Sequence, residues 1–209
     1  MVVFNVKQAK VTLAVASRNR DKVNELERIF SQIRPDVEWT FLSADDLNMP
    51  DVEETGKTFM DNAVIKAISG AKHSGRICIG EDSGLEVDVL GGAPGVHSHR
   101  FSETGSDDDN NRLLLDLLKD VPPEKRTCRY TCAIAIADAQ GVVGGGEGHV
   151  EGIIDVELRG TNGFGYDPLF YSPELGKTFG EASSEEKDRV SHRRRAIENL
   201  LNQVKEEFV

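Results

Sequence analysis

The stretch from Ile77 to Gly95 constrains this chain more than any other. It opens as an apolar run, Ile77-Cys78-Ile79, meets a glycine, and then sets two carboxylates, a hydroxyl and a second glycine side by side as Glu81-Asp82-Ser83-Gly84. An apolar run of this kind belongs inside a sheet, whereas adjacent carboxylates resist burial unless something pairs them. The strand is therefore expected to end there, with its carboxylates at the tip beside flexible glycine. Such a tip suits a hard divalent cation, which takes carboxylate oxygens and keeps several waters. An acidic turn between two strands satisfies the same pattern. Leu85-Glu86-Val87-Asp88-Val89 then alternates as a half-buried strand with Asp88 outward, and Gly91-Gly92-Ala93-Pro94-Gly95 lets backbone approach something closely.

Elsewhere strands and helices alternate. Val11-Thr12-Leu13-Ala14-Val15-Ala16 reads as a first buried strand, the polar loop Ser17-Arg18-Asn19-Arg20-Asp21-Lys22 follows, and Val23, Leu26, Ile29, Phe30 and Ile33 recur at helical spacing. A strand, polar loop and helix start aim backbone N–H groups and Lys22 at one spot, which makes an anion site; a plain helix start capped by Ser17 or Asn19 fits the same residues. Val37 to Leu42 reads as a second strand. From Thr58 to about Ser69 a helix is expected, with Phe59, Ala63, Val64, Ala67 and Ile68 buried and Asn62 and Lys66 sharing another face. Gly56-Lys57-Thr58 looks like the end of a phosphate-binding P-loop, but Asp51 stands where that motif needs glycine.

Asp107-Asp108-Asp109 opens a helix carrying Leu113, Leu114, Leu117 and Leu118. Three acids suit the positive end of a helix, so they are assigned to the helix with no part in chemistry. Two long strands follow, Thr127 to Ala137 and Gly141 to Leu158, joined through Asp138-Ala139-Gln140-Gly141, with Gly144-Gly145-Gly146 marking a bulge or bend. Between Arg159 and Pro168, glycines leave backbone accessible around Phe164 and Tyr166, whose flat faces suit a planar ring, although an aromatic in such a loop also serves as a core plug. A final helix turns Ile197, Leu200, Leu201 and Val204 inward. Its basic start, His192-Arg193-Arg194-Arg195, opposes the helix dipole and points to an anionic or polar ligand, or to pairing with nearby acids.

A chain of 209 residues with a formal net charge of −11 is unsuited to long nucleic acid, whose affinity comes from cations on phosphates, but it accommodates a small phosphorylated ligand where cations gather locally. No run of about 18 apolar residues suggests a membrane span, and Met1 to Lys7 lacks the features of a secretory signal, so the cytoplasm is the expected compartment. Cys78, Cys128 and Cys132 have no metal-type spacing and read as small buried hydrophobes.

Seven blocks then occur in order: Ser17-Arg18-Asn19-Arg20-Asp21-Lys22, Glu53-Glu54-Thr55-Gly56, Asn62 to Ala67, Glu81-Asp82-Ser83-Gly84-Leu85, Gly91 to Gly95, Gly163-Phe164-Gly165-Tyr166-Asp167-Pro168 and Ser191-His192-Arg193. Together they resemble the inosine/xanthosine triphosphate pyrophosphatase family, which hydrolyses non-standard purine nucleoside triphosphates to monophosphates and pyrophosphate. The resemblance runs from Val11 to about Leu201. It implies an α/β fold, a long twisted mixed sheet with flanking helices and two lobes around a central cleft, arranged as one pyrophosphatase domain over residues 11–209 after an N-terminal extension over residues 1–10, and a homodimer. It implies that Ser17, Arg18, Asn19, Arg20, Asp21 and Lys22 bind triphosphate with support from Lys66, that Glu54 and Asp82 hold magnesium, and that Asp82 accepts the proton of the attacking water. Ser83 would contact the nucleotide, and Phe164, Gly165, Tyr166, Asp167, Lys187, His192 and Arg193 would form the nucleoside end. Glu81 stands where the family usually has aspartate, and Asn162 where glycine is frequent; the choices between Glu81 and Asp82 and between Glu53 and Glu54 stay open at this point.

Inosine and xanthosine carry a carbonyl acceptor at the purine six-position, where adenosine carries an amino donor. Fixed donors between Ser191 and Arg193, from backbone N–H groups or the Arg193 guanidinium, would satisfy only the former. A regulatory nucleotide-binding module and a pyrophosphatase for modified pyrimidine nucleotides are the competing readings; two retained acidic blocks favour hydrolysis, because unpaired carboxylates weaken a simple binder of anions.

Overall fold

The computed structural model describes residues 9–204. Its first strand, β1 (Ala9–Val15), dives from an exposed start into the core and hands over to helix α1 (Arg20–Ile33), which begins at Asn19, whose side chain accepts the Lys22 amide N–H. The proposed extension over residues 1–10 therefore gives up its last two residues to β1, and Met1 to Lys7 lie outside the described residues. Strand β2 (Val37–Leu42) alternates buried and exposed residues and sets Trp39 edge-on to Phe30 of α1 at 5.0 Å. Helix α2 (Phe59–Ser74) starts with a reciprocal cap between Thr58 and Asp61 and ends at Gly75 in the left-handed conformation. It runs past the expected end at Ser69, because Gly70 is packed against Cys78 rather than breaking the helix.

Strand β3 (Cys78–Val87) corrects the main expectation from the sequence. It does not end at the carboxylates but continues through Glu81, Asp82, Ser83 and Gly84 to Val87, after which a 3-10 turn takes Asp88 to Leu90. Asp88 is exposed, on that turn rather than on a strand. Helix α3 (Asp107–Leu118) is capped by Ser106. Strands β4 (Thr127–Ala137) and β5 (Val142–Ile154) form the expected hairpin, with β5 ending four residues before Leu158. Two short strands, β6 (Phe170–Ser172) and β7 (Lys177–Thr178), precede helices α4 (Ser184–Val190) and α5 (His192–Gln203).

The seven strands make one mixed sheet in the order β2-β1-β3-β4-β5-β6-β7. Strand β1 is parallel to both β2 and β3, and the remaining pairs are antiparallel. The arrangement agrees with the α/β mixed sheet that the resemblance implied. Strand β3 pairs with β4 along its whole length, from Cys78↔Ala137 to Val87↔Cys128, but with β1 only at Ala14↔Cys78 and Val15↔Ile79. From Gly80 onward the β1 side of β3 has no neighbouring strand among the described residues, and that gap is where the cleft opens.

Glycines bring the helices down onto the sheet. A Cβ on Gly80 would collide with the main chain of α2 at Ala63 and Ala67, and one on Gly146 with α5 at Ala196 and Leu200. The triple-glycine run thus serves helix approach, beside a register shift between Ile136 and Ala137 where the expected bulge falls. All three cysteines are buried, as read. No helix among the described residues is long and apolar enough to cross a membrane. Gly80→Ala is expected to destabilise the fold by about 1–3 kcal/mol through forced separation of α2 from β3. An unchanged urea midpoint in this variant would remove close approach as the reason for glycine there.

Candidate active site

A cleft of about 520 Å³ opens beside β3, walled by the β1–α1 loop, α2, the loop before α3, the Phe164 loop and the start of α5. Because side chains alternate along a strand, the neighbours Glu81 and Asp82 leave β3 toward different elements. Asp82 turns to α2, where it accepts from Asn62 Nδ2 at 2.9 Å and lies 3.4 Å from Lys66 Nζ. Lys66 also lies 3.1 Å from Glu54, so one ammonium stands between two carboxylates. Burial raises the Asp82 carboxyl above its ordinary pKa against the pull of Lys66 and Asn62. Glu53 is exposed, whereas Glu54 is half-buried and lines the cleft.

Glu81 turns the other way, into a buried ionic network. Its Oε1 accepts from Arg193 Nη2 at 3.0 Å and from Cys132 Sγ at 3.5 Å. Its Oε2 lies 3.2 Å from Lys22 Nζ, close enough for an ion pair although not at a hydrogen-bonding angle. Arg193 also donates to Glu25, and Lys187 bridges Glu25 at 2.8 Å and Asp167 at 2.6 Å. Three carboxylates thus face three cations in a water-poor wall. Burial alone raises Glu25 and Glu81, but Lys187 with Arg193 brings Glu25 to about 2, and Arg193 with Lys22 holds Glu81 well below the usual range. Asp167 keeps a raised pKa, since burial outweighs its single close cation, Lys187. His192 stacks on Tyr130 at 4.8 Å, and burial together with the adjacent Arg193 charge keeps it neutral.

In the Phe164 loop, Tyr166 is a core plug, buried with its hydroxyl donating to Ser98 O at 2.8 Å, while Phe164 is half-buried with its ring 4.7 Å from Lys187 Nζ. Every residue to which the resemblance gave a role in the site lines the cleft except Arg20. Arg20 opens α1 as an exposed side chain 3.8 Å from Asp46, so its place in the phosphate loop is corrected. Arg18 lines the cleft but donates to Met49 O at 2.6 Å and pairs with Asp45 and Asp51, fastening the next loop to this one. The Nη groups of Arg193 are committed to Glu25, Glu81 and Ser83, whereas its Nε–H has no partner and stands with the first backbone N–H groups of α5 as a donor at that end.

Two residues that hold the lining from behind were given no role: Glu25, which was not singled out, and Asn62, which was named only as the neighbour of Lys66 on α2. Glu25 had a signal: with Leu26, Ile29 and Phe30 it shares the buried face of α1, where a charge demands a partner. Asn62 holds two parts of the site together, accepting from Gly56 N–H at 2.8 Å and donating to Asp82. As for metals, no group of three or more His, Cys, Asp or Glu side chains among the described residues is set to hold an ion. Glu54 and Asp82 against the single Lys66 leave an excess negative charge, which fits a hard divalent cation that uses one or two carboxylates and completes its shell with water and phosphate.

The fold and the cleft define an α/β protein whose deep site joins paired carboxylates and lysines to an aromatic loop. The chain belongs to the Ham1 family, whose model matches residues 13–203. A dITP/XTP pyrophosphatase of Desulforamulus reducens is 44% identical over 190 residues, covering 90% of this chain and 93% of that protein. One of Thermus thermophilus is 41% identical, covering 93% and 92%. Among solved structures, a HAM1 protein from Coxiella burnetii superposes with a TM-score of 0.78 at 35% identity, covering 90% of this chain and 95% of that one. A nucleoside-triphosphatase / dITP/XTP pyrophosphatase from Mycobacterium abscessus gives 0.69 at 42% identity, covering 90% and 97%.

Glu25→Gln leaves Lys187 and Arg193 short of a buried counter-charge and is expected to lose about 3–5 kcal/mol of stability. In the wild type, a carboxyl held near 2 when folded and 4.5 otherwise stabilises fully above pH 4.5, and that contribution disappears as pH falls toward 2. Thermal unfolding against pH checks both, and a Glu25→Gln midpoint equal to wild type at pH 7 contradicts the network.

Proposed function

We propose that this protein hydrolyses non-standard purine nucleoside triphosphates, the inosine, deoxyinosine and xanthosine forms, to monophosphate and pyrophosphate, and so keeps these bases out of DNA and RNA. The observation that carries the reading is Lys66 held between Glu54 and Asp82 at one end of a cleft whose other end is the Phe164 loop and the start of α5. The activity for which the relatives are named, dITP/XTP pyrophosphatase, supports it. The reading extends to a magnesium-dependent, cytoplasmic homodimer.

Glu54 and Asp82 would hold magnesium, which when bound neutralises phosphate oxygens and orients them. Asp82 directs water toward the α-phosphorus and accepts its proton at a carboxylate oxygen, a task that its raised pKa favours. Lys22 and Lys66 take up the charge that appears on the departing pyrophosphate as the bond to the α-phosphorus breaks. Ser17, Asn19 and the first amides of α1 bind the phosphate chain. At the other end, Phe164 stacks on the purine, and the backbone N–H groups of His192 and Arg193 donate to the six-position carbonyl. The adenine amino group would leave these donors unpaired in a dry site.

Inosine triphosphate and magnesium should yield inosine monophosphate and pyrophosphate, with turnover lost on chelation. Asp82→Asn should lower kcat by about 100- to 10,000-fold in a protein that unfolds at the wild-type temperature. Asp88→Asn, an exposed residue paired with Arg129, is the matched control. Near-normal turnover by Asp82→Asn would sink the assignment of the base.

Base choice follows from the donors at α5. kcat/KM for inosine and xanthosine triphosphates should exceed that for adenosine triphosphate by about 10,000-fold, since a site built for one hydrogen-bonding pattern rejects its inverse by that order. Guanosine triphosphate should also be poor. Adenosine within tenfold of inosine would refute donor readout.

A further inference from the structure

The three aspartates that open α3 do not behave alike. Asp109 is tied to Thr104 and Arg112 on its own surface, and the helix cap is already made by Ser106. Asp107 reaches a distant loop, its Oδ2 accepting the Gly165 amide N–H at 2.7 Å. Asn111, one turn further along the same face of α3, donates its Nδ2 to the Gly165 carbonyl at 2.9 Å. Both main-chain polar groups of Gly165 are therefore held by side chains of α3. Gly165 needs such partners, because it sits in the left-handed conformation at φ 63° in a loop without a strand ladder. The amide N–H of Phe164 is held from the inner side by Asp167 Oδ2 at 2.9 Å, the oxygen that also binds Lys187. Asn111 is buried and its Oδ1 has no hydrogen-bond partner, so the bond to Gly165 is the contact that orients the amide.

We propose that Asp107 and Asn111 are positioning residues for the purine base: they clamp the Gly165 peptide and so fix the height of the Phe164 ring in the cleft. The ring lies 4.7 Å from Lys187 Nζ and 6.0 Å from the Arg193 guanidinium, and a loop free to lift would lose this seating. The proposal rests on reading the cleft as a purine nucleotide site. Asp107 and Asn111 act on the base end only, since the reacting phosphate is held at the far end by Lys22, Lys66 and Asp82. A charge serving the helix dipole alone would be indifferent to Gly165 and would act on no substrate parameter.

Kinetics with inosine triphosphate on Asp107→Ala, Asp107→Asn and Asn111→Ala decide the matter, together with inhibition by inorganic pyrophosphate and hydrogen exchange at the Gly165 amide. Loss of one such hydrogen bond should raise KM about tenfold while kcat and the pyrophosphate inhibition constant hold within about threefold. Asp107→Asn keeps an acceptor oxygen and should hold KM close to the wild-type value. The Gly165 amide should exchange faster in Asp107→Ala without any nucleotide present. An unchanged KM in the alanine variants overturns the proposal, as does weakening of pyrophosphate inhibition in step with KM, which marks general loosening. Should Asn111→Ala fail to fold, the exposed Asp107 decides alone. A wild-type protein that turned over neither inosine nor xanthosine triphosphate would remove the functional reading, and exchange at Gly165 would still decide the clamp.

Discussion

Side chains on a strand alternate between faces, and Glu81 and Asp82 are neighbours on β3. That one constraint sends two adjacent carboxylates into different environments. Glu81 joins Arg193 and Lys22 in a buried network, and Asp82 meets Asn62 and Lys66 on α2. Had the chain turned at this point, both carboxylates would share one solvated tip. Continuity is secured by β4, which pairs with β3 through the whole acidic stretch, while the early departure of β1 leaves the other edge open to the cleft.

The two environments differ in charge balance, and the difference divides the cleft. Around Glu81, three carboxylates and three cations compensate one another out of water, which rigidifies that wall but leaves little net charge for a ligand. Around Asp82, two carboxylates share one lysine, and the residual charge is suited to a cation. In the function we propose, this division seats the phosphates toward Lys22 and Lys66 and the purine toward Phe164 and α5.

Much of the wall was legible in the sequence because its residues violate local rules. Glu81-Asp82 interrupts an apolar run, and His192 and Arg193 place basic groups against a helix dipole. Each is a local inconsistency that needs an external partner. Glu25 carried the same kind of signal but was masked by the apolar residues around it. Arg20 was misplaced for the opposite reason: a loop read as one block hid the fact that helical rotation carries consecutive side chains to different sides, so Asp21 and Lys22 face the cleft and Arg20 does not.

By itself, the sequence determined the alternation of strands and helices, the hairpin of β4 and β5, a helix start capped by Ser17 or Asn19 and the residue types gathered for chemistry, because periodicity, capping and turn formation act over a few residues. Only the tertiary structure decided that β3 runs on through its carboxylates, that Arg193 is held by Glu25 and Glu81, and that Asp107 and Asn111 reach the Gly165 peptide. These outcomes join residues more than fifty positions apart. Which strand covers an edge, and which buried charge finds which partner, depends on the packing of whole elements and leaves no trace in local spacing.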